Sequence, residues 1–269
     1  MLKFSLLGVG RIGKMHAQNI AINPNCELEY VYDVNNPAAE KIAKEIDCKI
    51  AKSPEEAISS SNVDVVYIAT ATPTHIDYIL QAANAGKAIF CEKPIDLDIK
   101  KVEACKKELE KYNVPVHIGF NRRFDPSHKS AKEAKDSGEI GKLEKIIITS
   151  RDPSPPGIDY LKDSGGMYRD MTIHDFDLMH YILGNDPIEK VFATGSILFD
   201  EDCKEINDMD TAMIVMRSRS GVLCHINNSR RAVYGYDQRV EIFGSKGMVI
   251  SDNQTPSSLQ KFTNKITKA

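Results

Sequence analysis

The sequence predicts a two-part α/β protein, in which a doubly wound parallel sheet is followed by an α+β domain with an open, mainly antiparallel sheet. Strand and helix patterns alternate from residue 2 to Gly119, as is typical of a parallel sheet covered by helices. After Gly119, strand patterns follow one another without helices between them. Because 269 residues are many for one hydrophobic core, we predict two domains, 1–120 and 121–269.

Short apolar runs mark the strands of the first part, and the run VDVVYIA is typical of a central strand that is buried on both faces. The predicted strands are Phe4–Leu7, Leu28–Tyr32, Lys49–Ala51, Val63–Ala69, Ala88–Cys91 and Val114–Gly119. One-sided apolar spacing predicts helices at Gly10–Ala21, Pro37–Ile46, His75–Ala85 and Leu97–Tyr112. A further helix is predicted to begin after Ser53, with Ser53 as N-cap and Pro54 in its first turn.

The first strand runs into a Gly-x-Gly-x-x-Gly turn that opens a helix, the pattern of a Rossmann dinucleotide-binding fold. Gly8 permits the tight turn, and Gly10 lets the backbone approach a pyrophosphate. Gly13 allows the helix and the strand to pack closely. The unpaired N–H groups of the helix N-terminus then face the anion. Since loops also collect glycine for turn geometry alone, the motif needs its context.

That context includes an acidic residue at the end of the second strand. Asp33 lies twenty positions after Gly13, where a carboxylate accepts hydrogen bonds from the adenosine ribose hydroxyls and repels a 2′-phosphate. The sequence therefore favours NAD over NADP. The alternative is that Asp33 is a solvated residue at a strand end.

The second part begins with a helical pattern and continues with strands. We predict helices at Arg123–Ser137 and Met171–Leu183, and strands at Lys142–Arg151, Ile188–Thr194, Thr211–Arg217, Val222–Ser229 and Arg239–Ile250. The last strand turns back at Gly244–Gly247. Segment Asp252–Ala269 is polar and weakly patterned, so we predict a tail there.

Composition and charge exclude several classes of function. The hydrophobic share is 42%, the charged share 27% and the net charge −3, which gives no attraction to nucleic acid or to an anionic membrane. The N-terminal apolar run is too short for a signal peptide or a membrane span. The six cysteines form no C-x-x-C pair, which is typical of buried thiols in a reducing compartment. A cytoplasmic protein is predicted.

Glu92-Lys93-Pro94 follows the fifth strand directly, at the edge of the sheet where ligands bind in such folds. Pro94 biases Lys93 toward an extended conformation, so its amine can be aimed reproducibly. The alternative is a surface lysine before a helix.

The helix that includes residues 170–183 carries a polar stripe. At about 100° per residue Asp170 and His174 share one face, and an Asp four residues before a His can orient it as a general base. The alternatives are a solvated face, or a zinc site formed by His174, Asp177 and His180. Because His180 lies about 120° around the helix from His174, a zinc site is disfavoured and we predict no metal.

Two further groups of polar residues receive structural interpretations. Asp202, Asp208 and Asp210 fall in a predicted loop and are expected to be solvated. His225 lies inside a strand pattern and is expected to be a strand residue with its hydrogen bonds satisfied.

Segments along nearly the whole chain resemble the glucose-fructose oxidoreductase and inositol dehydrogenase family. They are GVGRIGKMH at 8–16, ATATPTHID at 69–77, EKP at 92–94, GFNRRFDP at 119–126, GGMYRDMTIHDFDLMHYILG at 165–184 and GYDQRVEIFGSKGMVI at 235–250. Within the family, the RRFDP and D-x-x-x-HD-x-D segments are most similar to those of the myo-inositol 2-dehydrogenases. Members usually continue further, so the resemblance implies a second domain that is shortened at its C-terminus.

The resemblance implies a dehydrogenase that uses a Lys-Asp-His triad, which falls on Lys93, Asp170 and His174. His174 would accept the hydroxyl proton while hydride leaves the same carbon for NAD, Lys93 would stabilise the alkoxide, and Asp170 would tune the pair. The implied cofactor contacts are Gly8, Gly10, Arg11, Ile12, Gly13, Asp33, Thr70, Pro73, His75, Glu92 and Lys93. The implied substrate contacts are Asn121, Arg122, Asp152 and Tyr236.

The sequence therefore predicts NAD-dependent oxidation of a secondary hydroxyl of a cyclic polyol or sugar, with myo-inositol first. Two alternatives stay open: a non-catalytic NAD-binding regulator, and an NADP-linked aldose or dihydrodiol dehydrogenase, which Asp33 disfavours. By resemblance the protein is expected to form a homo-oligomer, a dimer or a tetramer, through the exposed face of the second sheet.

Overall fold

The computed structural model describes residues 1–253 and divides the chain into two units. The first unit is Met1–Gly119, and the second begins at Phe120. Of the predicted tail Asp252–Ala269, all but the first two residues lie outside the described residues.

The first unit alternates strands and helices. Its strands are β1 (Leu2–Leu7), β2 (Cys26–Tyr32), β3 (Lys49–Ile50), β4 (Val65–Ile68), β5 (Ala88–Cys91) and β6 (Val116–Ile118). Its helices are α1 (Arg11–Ile22), α2 (Asn36–Ile46), α3 (Pro54–Ser59), α4 (His75–Asn84) and α5 (Ile99–Leu109), with a 3-10 turn at Thr72–Thr74. Ser53 caps α3 as predicted, because its hydroxyl accepts the Glu56 N–H at 3.3 Å.

The six strands form one parallel sheet in the order β3-β2-β1-β4-β5-β6, which confirms the predicted doubly wound fold. Leu6 and Leu7, neighbours on β1, belong to different core clusters. Apolar side chains are therefore buried on both faces of the sheet, as a parallel sheet requires. The carboxyl ends of β1 and β4 lie side by side at the point where the strand order reverses. This is the place where such folds bind ligands.

The second unit contains α6 (Pro126–Asp136), β7 (Leu143–Arg151), α7 (Ile158–Ser164), α8 (Thr172–Leu183), β8 (Ile188–Ser196), α9 (Asp202–Glu205), β9 (Thr211–Ser218), β10 (Leu223–Ser229), β11 (Asp237–Gly244) and β12 (Gly247–Ser251). A 3-10 turn at Asn121–Phe124 precedes α6, and a π-helical turn at Met167–Met171 leads into α8. The sequence did not predict α7, α9 or the π-helical turn. All three are too short for apolar periodicity to reveal them.

The second sheet has the strand order β12-β11-β7-β10-β9-β8 and is mixed. Four of its pairings are antiparallel, which confirms the mainly antiparallel prediction, whereas β7 and β10 run parallel. A parallel pair needs a long crossover. The chain between β7 and β10 supplies it, because that stretch contains α7, α8, β8 and β9.

Only one face of this sheet is buried. Ile146, Ile214 and Ile226 form a core with Leu178 and Ile182 of α8, all fully or almost fully buried. On the other face, apolar side chains on β8, β9 and β10 are exposed, among them Phe192, Met213, Val215 and Leu223.

The six cysteines are free thiols, four of them buried and two, Cys26 and Cys48, partly buried. Burial raises the pKa of Cys203 to about 11 and that of Cys224 to about 12. Among residues 1–253, no helix is long and apolar enough to cross a membrane.

Candidate functional site

In the glycine turn after β1, the packing of the chain requires glycine at two positions but not at the third. Gly8 has a φ of +89°, and a Cβ there would lie 2.5 Å from the Ala69 carbonyl oxygen. A Cβ at Gly13 would overlap the Gly8 carbonyl oxygen. At Gly10 a Cβ would have no described heavy atom within 4 Å. The protein therefore packs against Gly8 and Gly13 and leaves open space beside Gly10.

The N-terminus of α1 lies beside that space. Arg11 and Ile12 are its first two residues, Gly10 is the N-cap, and the first turn contains no acidic side chain. Backbone N–H groups of a first helical turn have no partner within the helix, so they can bind an anion. The turn thus fits the pyrophosphate of a dinucleotide, and Gly10 is the residue that provides room for it.

Asp33 lies at the end of β2 and faces the same turn. Its Oδ2 accepts the Val9 N–H at 2.7 Å, and its Oδ1 accepts the Asn35 N–H at 2.8 Å. An ionised carboxylate has about four acceptor positions, so both oxygens can accept further hydrogen bonds from ribose hydroxyls. The carboxylate therefore both orders the turn and fits the role predicted for it.

The turn after β4 is held by a buried histidine. His75 is 1% exposed, and its ring nitrogens lie 3.0 Å from the Thr70 carbonyl oxygen and 2.8 Å from the Pro94 carbonyl oxygen. The Thr70 hydroxyl lies 2.7 Å from the Thr74 hydroxyl, and Pro73 is exposed in the 3-10 turn between them. His75 thus connects two loops at the carboxyl edge of the sheet.

Glu92, the residue that precedes Lys93, contacts two side chains from other elements. Its Oε1 lies 2.9 Å from His16 Nε2 of α1 and accepts the Tyr67 hydroxyl of β4 at 3.4 Å. A Cβ at Gly119 would lie 2.9 Å from the same oxygen. Lys93 follows as a half-buried residue, rather than the exposed lysine of the alternative interpretation.

Asp170 is the central carboxylate of the candidate site in the second unit. It lies in the π-helical turn and is 9% exposed. Its Oδ1 accepts the Tyr160 hydroxyl at 2.7 Å, and its Oδ2 accepts Arg230 Nη1 at 3.3 Å. Asp170 therefore does not belong to a solvated face. π-helical turns are frequent at functional sites.

His174 lies in the first turn of α8 and is half-buried. The edge of its ring meets the Phe120 ring, with the centroids 6.5 Å apart and the planes at 86°. The face of α8 that contains Thr172, Met179 and Leu183 is buried, and Asp175 is fully buried among these residues.

Asp175 is a buried charge that sequence reasoning missed. It is paired with Arg122 Nη1 and accepts Asn228 Nδ2 at 2.8 Å. Burial raises the pKa of Asp175, and Arg122 and Asn228 oppose that rise. Arg122 also donates to Ser150 Oγ at 2.8 Å. The spacing of Asp175 with Leu178 and Ile182 on the apolar face was the signal that could have revealed it.

A second ion pair strengthens the same connection. Arg123 donates to both carboxylate oxygens of Asp177, at 2.8 and 2.5 Å. The 3-10 turn Asn121–Phe124 is thus tied to α8 by two consecutive arginines that pair with two aspartates.

The other predicted substrate residues are in different surroundings. Asp152 follows β7 as a half-buried carboxyl. Burial raises its pKa, the charges of Arg230 and Arg122 lower it, and those of Asp170 and Asp175 raise it. The pKa of Asp152 therefore depends on the buried side chains Arg230, Asp170 and Asp175. Asn121 and Tyr236 are exposed.

The prediction that Asp208 and Asp210 are solvated is wrong. Asp210 is fully buried, and its Oδ2 accepts the backbone N–H groups of Leu198, Phe199 and Asp200 at 2.8–2.9 Å. Burial acts to raise its pKa, but these hydrogen bonds outweigh burial and the pKa is lowered.

Asp208 accepts the Met167 N–H at 3.0 Å, at the start of the π-helical turn. Only Asp202 of the three is exposed. The carboxylates of Asp208 and Asp210 thus bind backbone N–H groups of the second unit.

Both units match models of one oxidoreductase family. Residues 2–120 match the model described as "Oxidoreductase family, NAD-binding Rossmann fold". Residues 128–250 match the GFO/IDH/MocA C-terminal domain.

Curated relatives include an inositol 2-dehydrogenase from Rhizobium meliloti, which is 46% identical over 96% of this chain and 78% of its own length. A myo-inositol 2-dehydrogenase from Thermotoga maritima is 45% identical over 94% of this chain and 75% of its own length.

Solved structures show the same similarity. A myo-inositol dehydrogenase from Corynebacterium glutamicum is 42% identical with a TM-score of 0.91, over 100% of this chain and 80% of that one. A scyllo-inositol dehydrogenase from Lactobacillus casei, solved with NAD(H) and scyllo-inositol, is 30% identical with a TM-score of 0.87, over 97% of this chain and 78% of that one.

Proposed function

The chain belongs to the GFO/IDH/MocA family of NAD-binding oxidoreductases, and on that premise we propose that it oxidises the 2-hydroxyl of myo-inositol to the ketone. The observation that carries the proposal is the 46% identity to an inositol 2-dehydrogenase over 96% of the chain. In this reaction the alcohol loses its hydroxyl proton and one carbon-bound hydrogen as hydride. NAD supplies the hydride acceptor, and the products are the ketone, NADH and a proton.

We propose that the protein supplies the base and the charge stabilisation. His174 accepts the hydroxyl proton, Lys93 stabilises the negative charge that develops on that oxygen, and Asp170 orients and charge-stabilises His174. The buried and hydrogen-bonded state of Asp170 supports this assignment, because a carboxylate held by Tyr160 and Arg230 keeps one orientation.

The polar groups for a polyol are proposed to be Asn121, Asp152 and Tyr236. Several hydrogen bonds to one substrate give specificity, because a substrate that lacks a hydroxyl leaves a donor or acceptor of the protein unpaired in the complex. For Arg122 we propose a different main role, the neutralisation of Asp175, since its terminal nitrogens already contact Asp175 and Ser150. Direct contact between Arg122 and the substrate stays a prediction.

The three glycines of the turn should respond differently to alanine. Gly10→Ala is expected to fold normally, because φ at Gly10 is −63° and a Cβ there enters open space. It should nevertheless weaken NAD binding by at least about tenfold, since the Cβ takes the room of the pyrophosphate. Calorimetric titration with NAD and thermal unfolding measure the two effects.

Gly8→Ala and Gly13→Ala serve as the comparison, because a Cβ at either site meets backbone atoms. Each should lose about 1–3 kcal/mol of unfolding free energy. Wild-type NAD affinity in a folded Gly10→Ala variant would contradict the placement of the pyrophosphate.

Asp33 is expected to set the preference for NAD over NADP. Asp33→Asn removes the charge that repels a 2′-phosphate but keeps the shape of the side chain, so the ratio of NADP to NAD affinity should rise at least about tenfold. Glu45→Gln on the exposed side of α2 is the matched control and should leave the ratio unchanged. A ratio that stays at the wild-type value in Asp33→Asn would refute this role.

The function is tested by NADH formation at alkaline pH over a panel of inositol isomers and hexoses. We expect the highest kcat/KM with myo-inositol. NAD binding without turnover of any panel member would favour the non-catalytic regulator. Turnover with NADP and an aldose in preference to NAD and inositol would favour the NADP-linked alternative.

Two further properties belong to the proposal. A homo-oligomer, a dimer or a tetramer, is supported by the exposed Phe192, Met213 and Val215 on the open face of the second sheet. A cytoplasmic location is supported by six free thiols. Light scattering of the purified protein measures its oligomeric state.

A further inference from the structure

Arg230 is the largest fully buried side chain of the described residues, with 1% of its surface exposed. It follows β10 directly, and its backbone N–H donates to the Asp210 carbonyl oxygen at 2.8 Å. An arginine is charged at every accessible pH, and a buried charge is strongly destabilising unless opposite charges lie nearby. The position of Arg230 therefore calls for an explanation.

Two carboxylates flank the guanidinium. Nη1 lies 3.3 Å from Asp170 Oδ2, and Nη2 lies 3.9 Å from Asp208 Oδ2. Asp208 also accepts the Met167 N–H, and it packs so closely on Gly166 that a Cβ there would lie 2.7 Å from its Oδ1. Arg230 thus lies between Asp208, which binds the first N–H of the π-helical turn, and Asp170 inside that turn.

The hydrogen bonding of the Arg230 side chain is incomplete, which is not expected of a residue that only stabilises the fold. Within residues 1–253, its Nε and Nη2 have no hydrogen-bond partner. Buried donors without acceptors cost free energy, and an apolar side chain of similar volume would avoid that cost. What Arg230 provides at this place is a fixed positive charge next to Asp170.

We propose that Arg230 is a positioning residue of the dehydrogenase, which holds the Asp170 carboxylate in its orientation and in its ionised form and thereby sets the pH above which His174 acts as a base. This inference rests on the proposed function, because it concerns the residues assigned there to proton transfer. Arg230 acts through Asp170 and contacts neither substrate nor cofactor in the proposed reaction.

The titratable and charged groups linked to Asp170 come from several elements. Tyr160 of α7 and Arg230 after β10 contact its carboxylate, and Asp208 before β9 pairs with the same arginine. The charges of Asp170, of Asp175 on α8 and of Arg122, which pairs with Asp175, all act on Asp152 after β7. His174 of α8 lies four residues after Asp170. Besides Arg230, the fixed positive charge in this set is Arg122. Loss of Arg230 would therefore leave four carboxyl groups and one arginine in the set.

The direction of the pH effect follows from charge alone. The active form requires an ionised Asp170 and a neutral His174, so one proton added to either group inactivates the enzyme. Removing a nearby cation makes that proton easier to add, whichever member of the pair receives it. The acidic limb of the pH–rate profile should therefore move to higher pH, by about one unit for a charge at this distance.

The experiment compares pH profiles of kcat with myo-inositol and saturating NAD for the wild-type chain, Arg230→Gln and Arg230→Lys. The Gln variant keeps hydrogen-bond donors but loses the charge, and we expect its acidic limb to shift upward by about one unit with KM changed less than about threefold. The Lys variant restores a charge and should bring the limb back toward the wild-type position. A Gln variant with the wild-type limb would overturn the proposal.

The neighbouring Arg231 provides the matched control. It is exposed, and its guanidinium lies 3.9 Å from the centroid of the Phe199 ring. Arg231→Gln should keep the wild-type profile. Equal shifts in the Arg230 and Arg231 variants would indicate a general effect of net charge and would also overturn the proposal.

A double-variant cycle separates positioning from a purely structural role. If Arg230 acts through Asp170, the factor by which Arg230→Gln lowers kcat disappears once Asp170 is already Asn. If the two losses multiply, Arg230 acts independently and the proposal fails. Should Arg230→Gln not fold, Arg230→Met, which removes the charge together with the unpaired donors, replaces it in the cycle and is judged by the same criterion.

Failure of this inference is distinguishable from failure of the proposed function. Wild-type protein that turns over no polyol refutes the function. Wild-type turnover together with an unshifted Arg230→Gln profile refutes only the role of Arg230. NAD affinity, measured by calorimetry, should be the same in all folded variants, because the NAD site is proposed in the first unit.

Discussion

Replacing His174 by alanine is expected to lower kcat for inositol oxidation by about 10²- to 10⁴-fold, the range that a general base contributes. The alcohol proton would then have no side-chain acceptor at the position proposed for the base. NAD affinity should stay within about twofold of the wild-type value, because the glycine turn and Asp33 belong to the first unit. Initial rates of NADH formation and calorimetric titration with NAD give the two readouts.

His180→Ala is the control for this variant. His180 lies on the same helix, α8, but is exposed. It should leave kcat unchanged if His174 alone is the base. If His174, Asp177 and His180 instead formed a metal site, both histidine variants and a chelator would abolish activity. A fully active His174→Ala variant would end its assignment as the base.

The second large effect is expected in stability. Arg122→Met should lower the free energy of unfolding by about 3–5 kcal/mol at neutral pH, the usual cost of removing one partner of a buried ion pair. The carboxyl of Asp175 is fully buried and would lose its opposite charge. Urea denaturation followed by far-UV circular dichroism measures the change.

Arg219→Met is the control, because Arg219 pairs with Glu189 on the surface, where both side chains are well exposed. An exposed pair contributes about 0–1 kcal/mol. If the two variants were equally stable, the buried pair would not stabilise the second unit in the way proposed.

The loss in Arg122→Met should depend on pH in a defined direction. Burial raises the pKa of Asp175, and Arg122 is one of the groups that oppose the rise, so its removal raises the pKa further. The folded variant then binds a proton that the unfolded chain, with a pKa of about 3.9, has already released. Stability of the variant is therefore lost as pH rises through the folded pKa.

The difference from wild type should consequently be smaller at about pH 5 than at about pH 8. Arg219→Met should show no such trend. A difference that grows on acidification would contradict the charge-compensation account of Arg122 and Asp175.

Much of the fold and half of the candidate site follow from local sequence pattern. The alternation of strands and helices, the glycine turn and Asp33 all predict a doubly wound sheet with a dinucleotide site, and the structure has that sheet. These features are local because a strand, a turn and the helix after it are defined by neighbouring residues. The resemblance assigned Lys93, Asp170 and His174 from motifs of a few residues each.

The charge surroundings of the second unit could not be predicted in the same way. Asp175 and Asp210 look like surface residues in sequence, and both are fully buried. The charged partners of Asp175 and Asp170 are distant along the chain: Arg122 lies 53 positions from Asp175, and Arg230 lies 60 positions from Asp170. The parallel pairing of β7 with β10 likewise joins segments that local pattern does not relate.

By itself the sequence determined the fold class, the dinucleotide turn and the candidates for chemistry, because periodicity and glycine geometry act over short stretches of chain. Only the tertiary structure decided which of the charged residues are buried and which charge each of them faces. The physical reason is that the cost of a buried charge depends on groups brought next to it from elsewhere in the chain, and local pattern carries no record of them.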